Sequence, residues 1–188
     1  DDNPVIYIEH RWLHNLEGKV PEGDYRVPIG KAKVLRRGQD ITIVSLSYMT
    51  IEALHAAMAL ENQGIKCEIV DLRTVNPIDW ETLFKSVAKT GRLLALDTST
   101  ETLSIAGEII AKISMECFPK LKTAPKRIAL PDFPTPTSPA LTAKFYRRAE
   151  DIAMEIGRMM GKKIKTDAII KARQSPHDVP GDWFRGPF

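Results

Sequence analysis

No apolar run in this chain approaches the roughly 20 residues needed to cross a bilayer. The opening Asp1-Asp2-Asn3-Pro4 has neither the basic region nor the apolar core of a signal peptide. The expected setting is the cytoplasm, or an organelle matrix after loss of a presequence. Cysteine is scarce: Cys67 and Cys117 lie far apart without CxxC spacing, so buried free thiols are expected in place of a disulfide or a thiolate metal site. Aromatic residues are only 7% of the chain, and none interleaves the basic runs Lys162-Lys163-Ile164-Lys165 and Lys171-Ala172-Arg173. Those runs read as a solvated tail, not as a nucleic-acid surface.

Motifs for several chemistries are missing as well. There is no GxGxxG and no GxxxxGK[ST], and the turn Ser47-Tyr48-Met49-Thr50 lacks the glycines that let a backbone approach a pyrophosphate. No GxSxG elbow supports a hydrolase serine. His10 and His14 stand four apart, but they follow an apparent strand and have no third ligand. His55 falls one residue past Leu54 on a helix and reads as a boundary residue. His177 reads as a loop residue between Pro176 and Asp178, and no two carboxylates are marked as facing one site. Catalytic, cofactor-binding and metal residues are therefore all expected to be absent from this chain, and it reads as one piece of a larger enzyme.

What is present is an ordinary globular balance: 43% hydrophobic and 27% charged residues, with a net charge of +3 from 27 basic against 24 acidic side chains. In 188 residues one well-buried core is expected. Val5 to Glu9 reads as a strand, and Arg11 to Ile29, with Gly18, Pro21, Gly23 and Pro28, as a connector. Strand-like and helical runs then alternate. Lys31 to Arg36, Ile41 to Leu46, Ile65 to Leu72, Arg92 to Asp97 and Arg127 to Leu130 read as strands.

Helices are expected over Met49 to Gln63, with an apolar stripe of Ile51, Leu54 and Met58, and from an Asp79 cap to Ala88. A third runs from Leu103 or Ser104 to Phe118, using Ile105, Ile109, Ile113 and Met115, and a fourth from Ala149 to Met160. Pro131 to Pro139 is excluded from helix and central strand. Weak helical character extends to Arg173. Repeated β-α-β units predict a three-layer α/β/α sandwich with about five mostly parallel strands.

An ordered series of motifs carries a family likeness. It comprises Pro28-Ile29-Gly30-Lys31-Ala32, Gly38 with Asp40-Ile41-Thr42-Ile43-Val44, and Val70-Asp71-Leu72-Arg73-Thr74-Val75-Asn76-Pro77-Ile78-Asp79. Lys89-Thr90-Gly91-Arg92-Leu93 and Asp132-Phe133-Pro134 with Pro136 and Ser138-Pro139-Ala140-Leu141 follow. The series resembles the C-terminal domain of the β subunit of thiamine-diphosphate-dependent 2-oxoacid dehydrogenases, the E1 component of pyruvate and branched-chain complexes. Asp2-Asn3-Pro4-Val5-Ile6-Tyr7-Ile8-Glu9-His10 resembles the final strand of that subunit's pyrimidine-binding domain. The likeness covers about residues 1 to 160.

The resemblance implies a transketolase C-terminal fold with its first strand antiparallel. It divides the chain into the end of a pyrimidine-binding domain with connector (1–29), a transketolase C-terminal-like domain (30–161) and a C-terminal extension (162–188). Thiamine diphosphate and Mg²⁺ would serve the whole enzyme and be held outside this chain. The implied partners are an E1 α subunit, a second β subunit and the lipoyl acyltransferase E2, with no nucleic acid or membrane. Some members bind potassium near positions matching Asp1 and Asn3, although no ion is expected here because the rest of that shell lies upstream.

Two departures stand out. Where the family has an acidic residue and a Gly-Gly pair, this chain has Asp97-Thr98 and then Leu103-Ser104, so the glycine-dependent geometry of that loop is expected to change. Most relatives also end near the helix that closes at Met160, so docking of the acyltransferase is expected to differ. The alternatives are another transketolase-like enzyme of the deoxyxylulose-phosphate synthase type and a non-catalytic binding or assembly domain.

Overall fold

A computed structural model describes residues 2–179, 181 and 184. Its centre is a sheet of β1 (Lys33–Arg36), β2 (Ile41–Ser45), β3 (Cys67–Asp71), β4 (Leu93–Thr100) and β5 (Lys126–Leu130), in the order β1-β3-β2-β4-β5. β1 runs antiparallel to β3, and every other pairing is parallel. The helices are α1 (Tyr48–Glu61), α2 (Trp80–Thr90), α3 (Ile105–Cys117), α4 (Pro139–Phe145), α5 (Ala149–Met160) and α6 (Asp167–Ala172). The expected five-stranded sandwich with an antiparallel first strand is what forms.

Alternation along the strands splits the core into two layers. Ile41, Ile43, Cys67, Ile69, Leu94 and Leu96 face α1 and α5, and Ile169 of α6 closes that layer. Val44, Val70, Leu93 and Ala95 meet Leu83 and Val87 of α2 and Ile109 and Ile113 of α3. Cys67 and Cys117 are buried free thiols. Burial pushes the Cys67 thiol up to about 12, so it stays protonated and unreactive.

The chain leaves β2 through α1 to reach β3 on one side, then returns through α2 to β4 on the other. The reversal places a crevice between the carboxyl ends of β2 and β4, where open α/β sheets receive ligands. Local chemistry fixes the turns around it. Asp79 caps α2 by accepting from the Thr82 N–H at 3.2 Å and also accepts from the Ala32 N–H at 3.0 Å. The Gly30 N–H donates to the Thr74 hydroxyl at 3.1 Å, which ties the start of the domain to the β3–α2 loop. Burial pushes the Asp79 carboxyl up, but its bonds from Thr82 and Ala32 outweigh that and leave it below the usual carboxylate range.

Several expectations need correction. Val5 to Glu9 is not a strand: Ile6, Tyr7 and Ile8 are 86%, 84% and 85% exposed, because the described residues give the run no neighbouring strand to pair with. The buried face of α1 is Met49, Ala53, Ala56, Ala57 and Leu60, whereas Met58 points to solvent. The small alanines let α1 lie close to the sheet and to α5, which turns Met58 out, while Ile51 and Leu54 stay half-buried with Leu54 packed against the edge of the core. Met115 on α3 is likewise exposed. The proline-rich segment ends in a helix that sequence reading missed, since Pro139 stands in the first turn of α4, where a missing N–H costs no bond.

β4 continues three residues past Asp97 to Thr100. In the altered loop beyond it, Leu103 takes the left-handed conformation with φ of 63°. A leucine therefore keeps a backbone turn of the kind glycine adopts without strain.

Candidate functional site

The crevice holds a cavity of about 210 Å³ lined by His10, Trp12, Tyr48, Asp97, Tyr146 and Arg147, among others. Tyr48 opens α1 just beyond β2, and Asp97 lies within β4. The connector forms the other wall. His10 caps a short 3₁₀ turn (Arg11–Leu13) by accepting from the Trp12 N–H at 3.3 Å, and its ring stacks on Tyr48 with centroids 5.5 Å apart. Trp12 stands edge-on to Tyr48 at 4.9 Å and tilted on Tyr146 at 5.1 Å. Burial and the nearby His14 hold His10 below the usual imidazole range, which keeps the stacked ring neutral.

Beneath this aromatic wall lies Arg148, 1% exposed. Its Nη1 donates to Glu52 Oε1 at 3.0 Å and to the Tyr48 hydroxyl. Its Nε donates to the His177 carbonyl at 2.9 Å, and its Nη2 to the Val179 carbonyl at 2.6 Å. Glu52 is completed by the Ala149 N–H, 2.7 Å from Oε2. Burial pushes the Glu52 carboxyl up to about 7 and the Arg148 guanidinium down to about 10. Both charges lose hydration, so their hydrogen-bond partners decide whether the pair is tolerated.

The arrangement can position backbone and rings, but it does not match a bound thiamine diphosphate with Mg²⁺. The Asp97 oxygens accept the Ser99 N–H at 2.9 Å and the Ala106 N–H at 3.4 Å, and the Asp79 oxygens are engaged with Thr82 and Ala32. Among the described residues no group of three or more His, Cys, Asp and Glu could hold a metal ion.

The histidines separate as follows. His10 joins the cavity wall, and His14 Nε2 lies 3.2 Å from Glu9 Oε2 at the surface. His55 is exposed on α1. His177 lies in a turn, as read from sequence, and is also tied into the domain. Its Nε2 lies 2.9 Å from the Tyr146 carbonyl and its Nδ1 3.2 Å from Arg173 Nη1. Asp1, half of the implied potassium pair, lies outside the described residues, and Asn3 is exposed. Sequence reading missed Trp12, Tyr48, Glu52 and Arg148. The Arg148–Glu52 pair spans 96 positions, a separation that leaves no local signal.

Comparison with known proteins agrees with this geometry. Residues 30–152 match the family described as transketolase, C-terminal domain. The chain is 41% identical over 160 residues to the β subunit of acetoin:2,6-dichlorophenolindophenol oxidoreductase from Cupriavidus necator, covering 85% of this chain and 47% of that protein. It is 42% identical over 147 residues to the 2-oxoisovalerate dehydrogenase β subunit of Bacillus subtilis, covering 77% of this chain and 45% of that one. The pyruvate dehydrogenase E1 β subunit of the same organism is 39% identical over 141 residues, with 74% and 43% covered. The chain thus spans about half the length of the curated relatives it matches.

Among solved structures, a split-gene transketolase described as an inactive β4 tetramer superposes with a TM-score of 0.64 at 28% identity, over 78% of this chain and 46% of that one. With residues 30–152 matched, the chain belongs to the transketolase C-terminal domain family.

Proposed function

We propose that this chain forms the C-terminal part of the β subunit of a thiamine-diphosphate-dependent dehydrogenase, and that it serves assembly instead of performing the chemistry itself. The observation that carries this is the similarity to β subunits of such enzymes, 41% across 85% of the chain in the acetoin oxidoreductase relative and 42% across 77% in the 2-oxoisovalerate dehydrogenase one. The exposed run Val5 to Ile8 supports it: consecutive β-branched and aromatic residues left in solvent suit an added strand of a neighbouring sheet. In this reading the cofactor and Mg²⁺ are held by an α subunit and by the preceding β domain. A second β subunit and a lipoyl acyltransferase are the further partners.

The reaction is oxidative decarboxylation of a 2-oxoacid with acyl transfer to a lipoyl group. Acetoin is a specific second substrate reading, because the relative matched over 160 residues is named for acetoin. The test is to reconstitute the whole β subunit with its α subunit and to follow dichlorophenolindophenol reduction with pyruvate, 3-methyl-2-oxobutanoate and acetoin. Turnover of one of these only when both subunits are present is the expected result. Failure of the pair to turn over any of them would favour a non-catalytic assembly domain.

A further inference from the structure

The residues after Met160 are tied into the domain at points that also reach the connector. Arg148 is buried at 1% exposure, and its Nε and Nη2 find acceptors on the carbonyls of His177 and Val179. Without residues 177–179 those donors lose the partners described above, and a buried cation with unmet donors must move or draw in water. A carbonyl can only accept, so the His177 bond to Tyr146 requires the proton on Nε2, and Nδ1 is then the acceptor for Arg173. The Thr142 hydroxyl shares its one proton between the Pro139 carbonyl at 2.9 Å and Asp178 Oδ2 at 3.2 Å, and Arg173 pairs with Glu150. The segment therefore grips both α4 and the start of α5.

Tyr146 and Arg148, the two residues held by this segment, both face Trp12. The Arg148 guanidinium carbon lies 5.3 Å from the Trp12 ring centroid and 5.5 Å from that of Tyr48. The Trp12 ring rests on Tyr146 at 5.1 Å. Trp12 sits in the 3₁₀ turn immediately after His10, in the connector that leads back to the exposed run Val5 to Ile8.

We infer that His177 to Val179 form a strap that fastens the connector to the domain by completing the acceptor shell of Arg148. The inference concerns residues 10–14 and stands whichever enzyme the chain serves. Its function is positional: the strap sets the direction in which the chain leaves the domain at its N-terminal side.

The test is hydrogen exchange on the 188-residue chain, on a truncation ending at Gln174, on Arg148→Met, and on the two combined, with α3 as internal reference. The N–H of Leu13 donates to the His10 carbonyl at 2.9 Å and that of His14 to the Arg11 carbonyl at 3.2 Å, so these amides report on the turn. Each single change should speed their exchange about tenfold while α3 is unaffected. The combination should add nothing, because both changes break one chain of contacts. Unchanged exchange in the truncation, or effects that multiply in the combination, would overturn the inference. If Arg148→Met loosens α3 too, a shorter truncation ending at Pro176 decides the matter: it removes the His177 and Val179 carbonyls while keeping Arg173 with Glu150, and exchange at Leu13 and His14 should rise severalfold, whereas no rise overturns the strap.

Discussion

Replacing Leu103 by glycine should stabilise the protein. Leu103 has φ of 63° and is 100% exposed, so its side chain buries no surface while its backbone holds a conformation that costs a non-glycine residue about 1–2 kcal/mol. Glycine removes that strain, but it also widens the unfolded ensemble, which returns about 0.4–1 kcal/mol. The net gain is about 0.5–1 kcal/mol, or about 2 °C in Tm for a chain of this size. Leu103→Ala is the control, because alanine keeps the strain and should stay within about 0.5 kcal/mol of the parent. Urea and thermal unfolding of the three proteins read the difference. A glycine variant less stable than the alanine variant would refute the reasoning and show that the loop from Thr98 to Ser104 does not hold the left-handed turn.

The remaining expectations bear on the core and the caps. At Gly38 an added Cβ would lie 2.2 Å from the Cys67 carbonyl carbon and 2.4 Å from the Glu68 nitrogen, so Gly38→Ala must push β3 and should cost about 3 kcal/mol by chemical denaturation. Asp79→Ala removes the α2 cap and the acceptor for Ala32, with an expected loss of about 2 kcal/mol at neutral pH. The Asp79 carboxyl is held below its ordinary 3.8, so its ionised form stabilises the fold above that pH. The gap between parent and variant should therefore shrink as pH falls below about 4, and a gap that persists undiminished to pH 2 would contradict the assignment. Phe145 is buried between Phe133 and Tyr146. Phe145→Ala should cost about 3 kcal/mol, and a neutral change in thermal unfolding would mean that α4 is not part of the core.

The sheet was legible because its central strands are apolar on both faces and separated by turn residues. Ile41 and Ile43 on one face of β2 and Val44 on the other already imply helices on either side. The antiparallel first strand came from the family likeness and not from periodicity, and the order of the strands was not legible at all. Position of the helix faces was less legible: α1 buries its alanines together with Met49 and Leu60 and leaves Met58 in solvent, a choice set by packing distance and not by hydrophobicity alone. Val5 to Glu9 has strand composition, yet a strand is a relation between two segments and its partner is not among the described residues. The Arg148 network was invisible for a similar reason. Arg147-Arg148 before Ala149-Glu150-Asp151 has the charge pattern of a solvated helix start, and what buries Arg148 comes from Trp12, from Glu52 and from the segment around His177.

The central claim, that these residues form an assembly domain and not a catalyst, is tested most directly by a decarboxylation assay with thiamine diphosphate and Mg²⁺ present. It compares this 188-residue chain alone with the whole β subunit bound to its α subunit. Carbon dioxide release from a 2-oxoacid, or cleavage of acetoin, is expected from the α–β assembly and not from the chain alone. Turnover by the isolated chain would contradict the account.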